Sequence, residues 1–207
     1  MRGILEDAYG VDIRAIEWIA QDEEDIAIEP PAGFTLRRVA QGENVDALLV
    51  KGDLAGLMYP ELPPSFRNGD PRIRRLFTDD KAEEQRYFQR TGIFPLMHTV
   101  VIRESLLRDY PWLSMNVVQA FRRSKDLAWT QMEDPRRVSL AWFREALEEQ
   151  RRVLGRDPWP YDLPGNRVAL EAICRYARNQ GLTRRLLGPE ELFDPASMDD
   201  PPAYIGT

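Results

Sequence analysis

Continuous and alternating apolar runs along the chain predict a series of short strands. Residues 11–19 are rich in β-branched residues and predict a strand, and residues 34–40 predict a weaker one. Two continuous apolar runs, LAGLMY at 54–59 and IFPLMHTVVIR at 93–103, predict strands that are buried on both faces. A further short strand is predicted at 72–77. Strands separated by helices in this way are typical of an α/β protein.

Helical periodicity and capping residues predict the remaining elements. A helix is predicted at 3–9, ended by Gly10, and another at 44–51 with Asn44 as its N-cap. A polar helix is predicted over 79–92, and the second half of the chain is mostly helical. The apolar positions expected to face inward on these later helices are Leu113, Val117, Phe121, Ala128, Phe143, Leu147, Leu154, Leu170, Ile173, Cys174 and Ala177.

Composition and charge narrow the classes of function. The chain has 207 residues, of which 43% are hydrophobic and 30% charged, which is an ordinary globular balance. Its formal net charge of -6 argues against a nucleic-acid partner, which would need a basic face. No apolar run approaches the roughly 20 residues that span a bilayer, and the first residues lack a signal-peptide pattern. A cytoplasmic location without a membrane partner is therefore expected by default.

Cysteine and histidine are scarce, which limits metal chemistry. The chain has one cysteine, Cys174, and one histidine, His98, so an internal disulfide, a thiolate zinc site and a multi-histidine cage are all excluded. The acidic run at 22–25 lacks the ligand spacing of a calcium loop and is interpreted as a solvated loop. Cys174 is interpreted as a core residue and not as a nucleophile.

His98 is the candidate catalytic residue because it lies inside the apolar run at 93–103. An imidazole in a buried strand is desolvated, and it can act as a general acid or base. The alternative is a histidine that hydrogen-bonds a neighbouring loop and does no chemistry.

Arginine and aromatic residues near the predicted strand ends are candidates for substrate binding. Arg90 and Arg103 flank the same apolar run, and Arg67 lies in a Pro-rich loop, where each can form a bidentate contact with a carboxylate. The alternative for each is a solvated surface arginine. The loop residues that can line an aromatic pocket are Tyr59, Ser65, Trp159 and Tyr161, although loop aromatics also pack simply against a core.

Several segments together resemble the 4,5-dihydroxyphthalate decarboxylase family. These are YFQRTGIFPLMHTVVIR at 87–103, DYPW at 109–112, DPWPYDLPGNR at 157–167, RYARNQGL at 175–182 and PEELF at 189–193. The opening RGILEDAYGV and the segment LAGLMYPELPPSF are similar to that family too. GIFPLMHTVV and WPY with the following NR are the most specific parts of the resemblance.

The resemblance implies the two-lobed α/β fold of type II periplasmic solute-binding proteins, with a helix-rich C-terminal half. Residues 1–92 would form the second α/β lobe without its first strand, and residues 93–207 the strand that crosses between lobes and the C-terminal helical part of the first lobe. It also implies an N-terminal segment that these residues do not include. We therefore expect the chain by itself to expose apolar surface, to be poorly soluble and to be inactive.

The function implied by the resemblance is non-oxidative decarboxylation of a dihydroxylated aromatic dicarboxylate, from 4,5-dihydroxyphthalate to protocatechuate. His98 would be the acid–base, Arg90 or Arg103 the carboxylate anchor, and Tyr59, Ser65, Arg67 and Thr99 would line the pocket. No organic cofactor is expected; a divalent metal can assist such chemistry, but the sequence shows no ligand set. The alternative is a non-catalytic solute-binding component of an ABC-type uptake system. The sequence does not indicate an oligomeric state.

Overall fold

The computed structural model describes residues 1–21 and 31–198, so the acidic run at 22–25 lies outside the described residues. The helices and strands, in chain order, are α1 (Arg2–Tyr9), β1 (Glu17–Ala20), β2 (Thr35–Arg38), α2 (Val45–Lys51), α3 (Pro64–Arg67), α4 (Asp80–Thr91), α5 (Glu104–Asp109), α6 (Leu113–Glu133), α7 (Phe143–Leu154) and α8 (Leu163–Asn179). Three short 3-10 turns lie at Pro135–Arg137, Pro189–Glu191 and Pro195–Ser197.

The chain divides into two compact units. The first contains Met1–Glu84 and takes in Asn179–Leu182, whereas the second contains Gln85–Arg178 and the described residues from Thr183 onward. Helices dominate, and the described strands are β1 and β2, each four residues long. The chain is therefore helix-rich, with a small sheet confined to the first unit.

The sheet of the first unit is a single parallel pair. Glu17 lies opposite Thr35 and Ala20 opposite Arg38, which sets the register of β1 against β2. Ile13, just before β1, is the most completely buried large side chain among the described residues. The indole N–H of Trp18 donates to its carbonyl oxygen at 2.9 Å and fastens the start of the strand to this core position.

The helix ends of the first unit follow the capping rules. Gly10 ends α1 in the left-handed conformation with φ 65°, and its amide donates to the carbonyl of Glu6. The side-chain oxygen of Asn44 accepts a hydrogen bond from the amide of Ala47 at 2.7 Å and begins α2. The predicted helices at 3–9 and 44–51 are thus confirmed, as is the polar helix that becomes α4.

The strands predicted at 54–59, 72–77 and 93–103 were wrong, because no strand forms at these residues. A strand that is apolar on both faces needs hydrogen-bonding neighbours and cover on each face. Within the described residues the sheet ends at β2, whose four residues are all exposed, so these runs have no strand to pair with. The run at 93–103 is instead irregular and only partly covered, with Met97 77% and Val101 88% accessible.

The second unit contains the later part of α4 and the helices α5 to α8, with a small apolar core. Leu147, Leu163, Leu170 and Cys174 are buried, which confirms the inward positions predicted at three of them. Other predicted core positions were wrong: Phe121 is 48% and Ile173 49% exposed. Helical spacing selects a face, but it does not supply the element that must cover that face.

The C-terminal turn of the second unit is tied to the beginning of α6 and α8. The hydroxyl of Ser114, which is buried, donates to the carboxylate of Asp194. The amide of Leu163 donates to the carbonyl of Met198 at 2.8 Å, so two hydrogen bonds hold the turn at Pro195–Ser197 against these helix starts. A buried hydroxyl placed at the first turn of a helix thereby finds the acceptor it needs.

Two leucines of the second unit separate core from surface. Leu147 is 4% exposed and Leu140 is 68% exposed. We expect Leu147→Ala to lower the free energy of unfolding by about 2–5 kcal/mol, because it removes buried methyl groups and leaves a cavity. Leu140→Ala, the matched control, should change it by less than about 0.5 kcal/mol. Urea unfolding followed by helical circular dichroism measures both, and equal effects would contradict the assignment of the core.

Candidate functional site

The residues predicted for catalysis and for substrate binding divide between the two units. Tyr59, Ser65 and Arg67 belong to the first unit. The residues in the second unit are Arg90, His98, Thr99 and Arg103.

In the first unit, Ser65 is held by a carboxylate. Its hydroxyl donates to one oxygen of Asp46 at 2.5 Å and its amide donates to the other at 3.1 Å, which fastens α3 to α2. Arg67, at the end of α3, donates to the carbonyl of Leu62 at 3.3 Å and is exposed. The ring of Tyr59 is exposed. The hydroxyl proton of Ser65 is therefore committed to Asp46, while Tyr59 and Arg67 face solvent.

In the second unit, the predicted residues lie along the end of α4 and the irregular segment that follows. Arg90 is in the last turn of α4, and Arg103 is the residue before α5. His98 and Thr99 are both exposed, so the predicted burial of the histidine in a strand was wrong, for the want of partner strands described above.

Hydrogen bonding at the end of α4 sets where this segment leaves the helix. The Thr91 hydroxyl donates to the carbonyl of Tyr87 at 2.7 Å and accepts from the amide of Ile93 at 3.1 Å. Gly92 between them has φ 66°, the left-handed conformation that lets the chain turn out of the helix. This local geometry directs the GIF motif away from α4.

An aromatic cluster joins the two most specific motifs of the sequence. Phe94, from GIFPLMHTVV, makes an edge-to-face contact with Trp159 of WPY, with ring centroids 5.5 Å apart and planes at 80°. Trp129 of α6 stacks on Trp159, with ring centroids 6.4 Å apart and ring planes at 26°. Both arrangements are ones that aromatic rings favour. The fold of the second unit thus brings together motifs that are far apart along the chain.

Lys125 of α6 contacts the loop that carries Trp159. Its ammonium donates to the carboxylate of Asp157 at 2.5 Å and to the carbonyl of Trp159 at 2.7 Å. It also lies 3.9 Å from the centroid of the Tyr161 ring, a cation–π contact. Its side chain is only 12% exposed. The ammonium therefore contacts three positions of one loop, Asp157–Tyr161, which is called the WPY loop below.

The residues after the WPY loop close it onto the start of α8. The side-chain amide of Asn166 donates to the carbonyls of Pro160 and Asp162, at 2.7 and 2.8 Å. The amide of Gly165 donates to the Asp162 carboxylate at 2.6 Å, and a β-carbon at this glycine would lie 2.7 Å from the Pro160 ring. The asparagine and the glycine of the motif thus have structural reasons that the spacing alone did not reveal.

Sequence reasoning missed Lys125 and Trp129. They lie four residues apart on α6, and residues at this spacing share one face of a helix. One signal was available: the chain has 28 lysines and arginines, and only Lys51, Lys81 and Lys125 are lysines. The indole N–H of Trp129 is buried and has no hydrogen-bond partner among the described residues.

The carboxylates whose pKa values are lowered include Glu133 and Glu191, which form ion pairs with arginines and not with the aromatic cluster. Hydrogen bonds from Arg151 and Arg144 lower the pKa of Glu133 at the end of α6. The same bonds tie α7 to α6, because both arginines project from α7. Arg185 and the amide of Gly188 lower the pKa of Glu191 to about 2. These pairs organise the helical scaffold of the second unit.

No group of three or more His, Cys, Asp or Glu side chains within residues 1–21 and 31–198 is placed to hold a metal ion. Over the same residues, none of the helices is both long and apolar enough to cross a bilayer.

Comparison with known proteins confirms the resemblance seen in the motifs. No protein-family model matches the chain. The chain is similar to 4,5-dihydroxyphthalate decarboxylase of Comamonas testosteroni, with 32% identity over 96% of this chain. This similarity supports the resemblance to the 4,5-dihydroxyphthalate decarboxylase family. It spans 63% of the length of that relative.

Cys174 provides a test of the core of the second unit. It is buried on α8, and burial raises the pKa of its thiol, as do the nearby charges of Glu191 and Glu171. Because the thiolate is the reactive form, we expect slow alkylation by iodoacetamide at pH 8 in the native protein and fast alkylation in urea. Mass spectrometry measures the alkylated fraction directly, because the chain has one cysteine. Equal rates in the two conditions would contradict the placement of Cys174.

Proposed function

We propose that the protein carrying this chain is a non-oxidative decarboxylase that converts 4,5-dihydroxyphthalate to protocatechuate and carbon dioxide. The observation that carries the proposal is the contact of Phe94 with Trp159, which joins the two most specific family motifs in one aromatic cluster. The similarity to a relative named 4,5-dihydroxyphthalate decarboxylase supports the same substrate class. The proposal includes the two-lobed fold of type II periplasmic solute-binding proteins, which the family resemblance implies.

The chemistry needs a proton donor and a cation, and it proceeds without an organic cofactor in this proposal. Each carboxyl of the substrate is para to a ring hydroxyl. As that hydroxyl loses its proton, its electrons move toward the ring carbon that bears the carboxyl, and a general acid protonates this carbon. The bond to the carboxyl then breaks, carbon dioxide leaves, and its electron pair restores the aromatic ring. A cation holds the second carboxylate, which does not react.

His98 is the proposed acid–base. Its imidazole makes no hydrogen bond to any described residue and is exposed, which disfavours the alternative of a histidine fixed to a neighbouring loop. An imidazole can both donate and accept a proton, which suits both proton transfers of the reaction. It follows Phe94 by four residues in the segment that leaves α4.

Arg90 or Arg103 is the proposed anchor of the second carboxylate. Several arginines of this chain are paired with carboxylates, as Arg144 and Arg151 are with Glu133. The guanidinium groups of Arg90 and Arg103 form no ion pair with a described residue, so both can donate hydrogen bonds to a carboxylate of a ligand. The other predicted residues are proposed to line the substrate pocket: Tyr59, Ser65, Arg67 and Thr99. We also propose a cytoplasmic location.

The proposal predicts turnover and its dependence on His98. The natural protein that carries this sequence should release protocatechuate and carbon dioxide from 4,5-dihydroxyphthalate, measured by chromatography and by carbon dioxide evolution. His98→Gln should lower turnover by about 10²-fold or more, the usual size of a general acid–base contribution. Substrate binding, measured by titration calorimetry, should survive this change.

The control is Met97→Gln, which alters an exposed neighbour and should leave turnover unchanged. Normal turnover in His98→Gln would show that the histidine has no part in the chemistry. Tight binding of phthalates by the unmodified protein without turnover would favour a solute-binding protein. A preference for amino acids or sugars would contradict the substrate class.

A further inference from the structure

The contacts of Lys125 converge on a single loop. Its three contacts are an anionic oxygen of Asp157, the carbonyl oxygen of Trp159 and the face of the Tyr161 ring. An ammonium carries three N–H groups around one nitrogen, so it can satisfy two acceptors and one ring face that converge on a single point.

The choice of lysine at this position is informative because arginine dominates elsewhere. Of the 28 basic residues, Lys51, Lys81 and Lys125 alone are lysines. A planar guanidinium presents its donors as a wide fork that suits a single carboxylate, as Arg72 does with Asp70. The three partners of Lys125 lie 2.5, 2.7 and 3.9 Å from one nitrogen atom, an arrangement that suits a compact ammonium better than a wide fork.

Asp157 passes this constraint on to Trp159. One carboxylate oxygen of Asp157 receives the ammonium, while the other accepts the backbone amide of Trp159 at 3.1 Å. The backbone of Trp159 is therefore held at both its amide and its carbonyl. Its ring is at the same time packed against Phe94 and Trp129, the latter one helical turn from Lys125. The rings of Trp159 and Tyr161 both remain exposed in part.

We propose that Lys125 is a positioning residue that fixes the WPY loop so that Trp159 and Tyr161 present their exposed ring surface to the aromatic ring of the substrate. This inference rests on the proposed function for the nature of the ligand. It assigns Lys125 no contact with the reacting carbon, because both of its acceptors and its ring partner belong to the protein.

A positioning role predicts a change in KM with little change in kcat. Lys125→Met keeps most of the apolar stem of the side chain but removes the ammonium, so the loop loses its contacts with Lys125 while His98 is unchanged. We expect KM for 4,5-dihydroxyphthalate to rise by about tenfold or more, the size expected from losing hydrogen bonds to a charged group. The value of kcat should stay within about twofold, because binding lost equally from the ground and transition states raises KM alone.

Two further variants make the comparison specific. Lys125→Arg keeps the charge and should not restore KM, because the fork cannot reach the three partners together. Lys51→Met is the matched control: Lys51 is exposed in the last turn of α2, and its loss should leave KM and kcat unchanged. A normal KM in Lys125→Met, or full rescue by Lys125→Arg, would overturn the inference.

The contacts of Lys125 with Asp157, Trp159 and Tyr161, called the Lys125 latch here, are tested separately from the activity. Acetylation followed site by site by mass spectrometry should modify Lys125 much more slowly than Lys51, and Asp157→Asn should speed the modification of Lys125 selectively. Lys125→Met should also reduce the near-ultraviolet circular dichroism of the stacked tryptophans. If the unmodified protein lacks decarboxylase activity while these two results hold, the proposed function is wrong, but the contacts of the Lys125 latch are supported. Equal acetylation of Lys125 and Lys51 in a folded protein would refute the latch itself.

Discussion

The packing of Phe94 against Trp159 is the interaction on which the candidate site of the second unit depends. Phe94 begins the segment that continues to His98, and Trp159 is held by Lys125 and Asp157 through its backbone. Without this contact, the segment after α4 would have little to fix its course, because it forms no strand and none of its residues is fully buried. An edge-to-face aromatic pair is worth about 0.5–1.5 kcal/mol beyond the area it buries. That is enough to bias a loosely packed segment, although it does not replace a missing sheet.

Local signals in the sequence were sufficient for the elements that depend on local interactions. Asn44 as an N-cap, Gly10 as a C-cap and the polar helix α4 were all predicted, because a cap or a helical repeat is decided within a few residues. The family resemblance was also seen in the sequence, from GIFPLMHTVV and from WPY with the following NR, and the similarity to a named relative supports it. The structure adds the reason for Asn166 in that motif, which is to cap two loop carbonyls.

The strands at 54–59 and 93–103 were wrong for a reason that lies outside those segments. Apolar character on both faces indicates a need for neighbours, but a strand forms only where a partner strand is present. The described sheet is the pair β1 and β2, which offers no such partner. Lys125 was missed for a related reason. A lysine on a helix is usually solvated, and only the folded WPY loop gives this one an anion, a carbonyl and a ring.

The most direct test of this account is a double-mutant cycle on the two rings. Phe94→Leu, Trp159→Leu and the double variant are compared by their free energies of unfolding in urea. The account predicts a coupling energy of about 0.5–1.5 kcal/mol between the two positions, as for other aromatic pairs in contact. If the two single changes instead add to within about 0.3 kcal/mol, the rings do not touch in solution and the two motifs do not form one site.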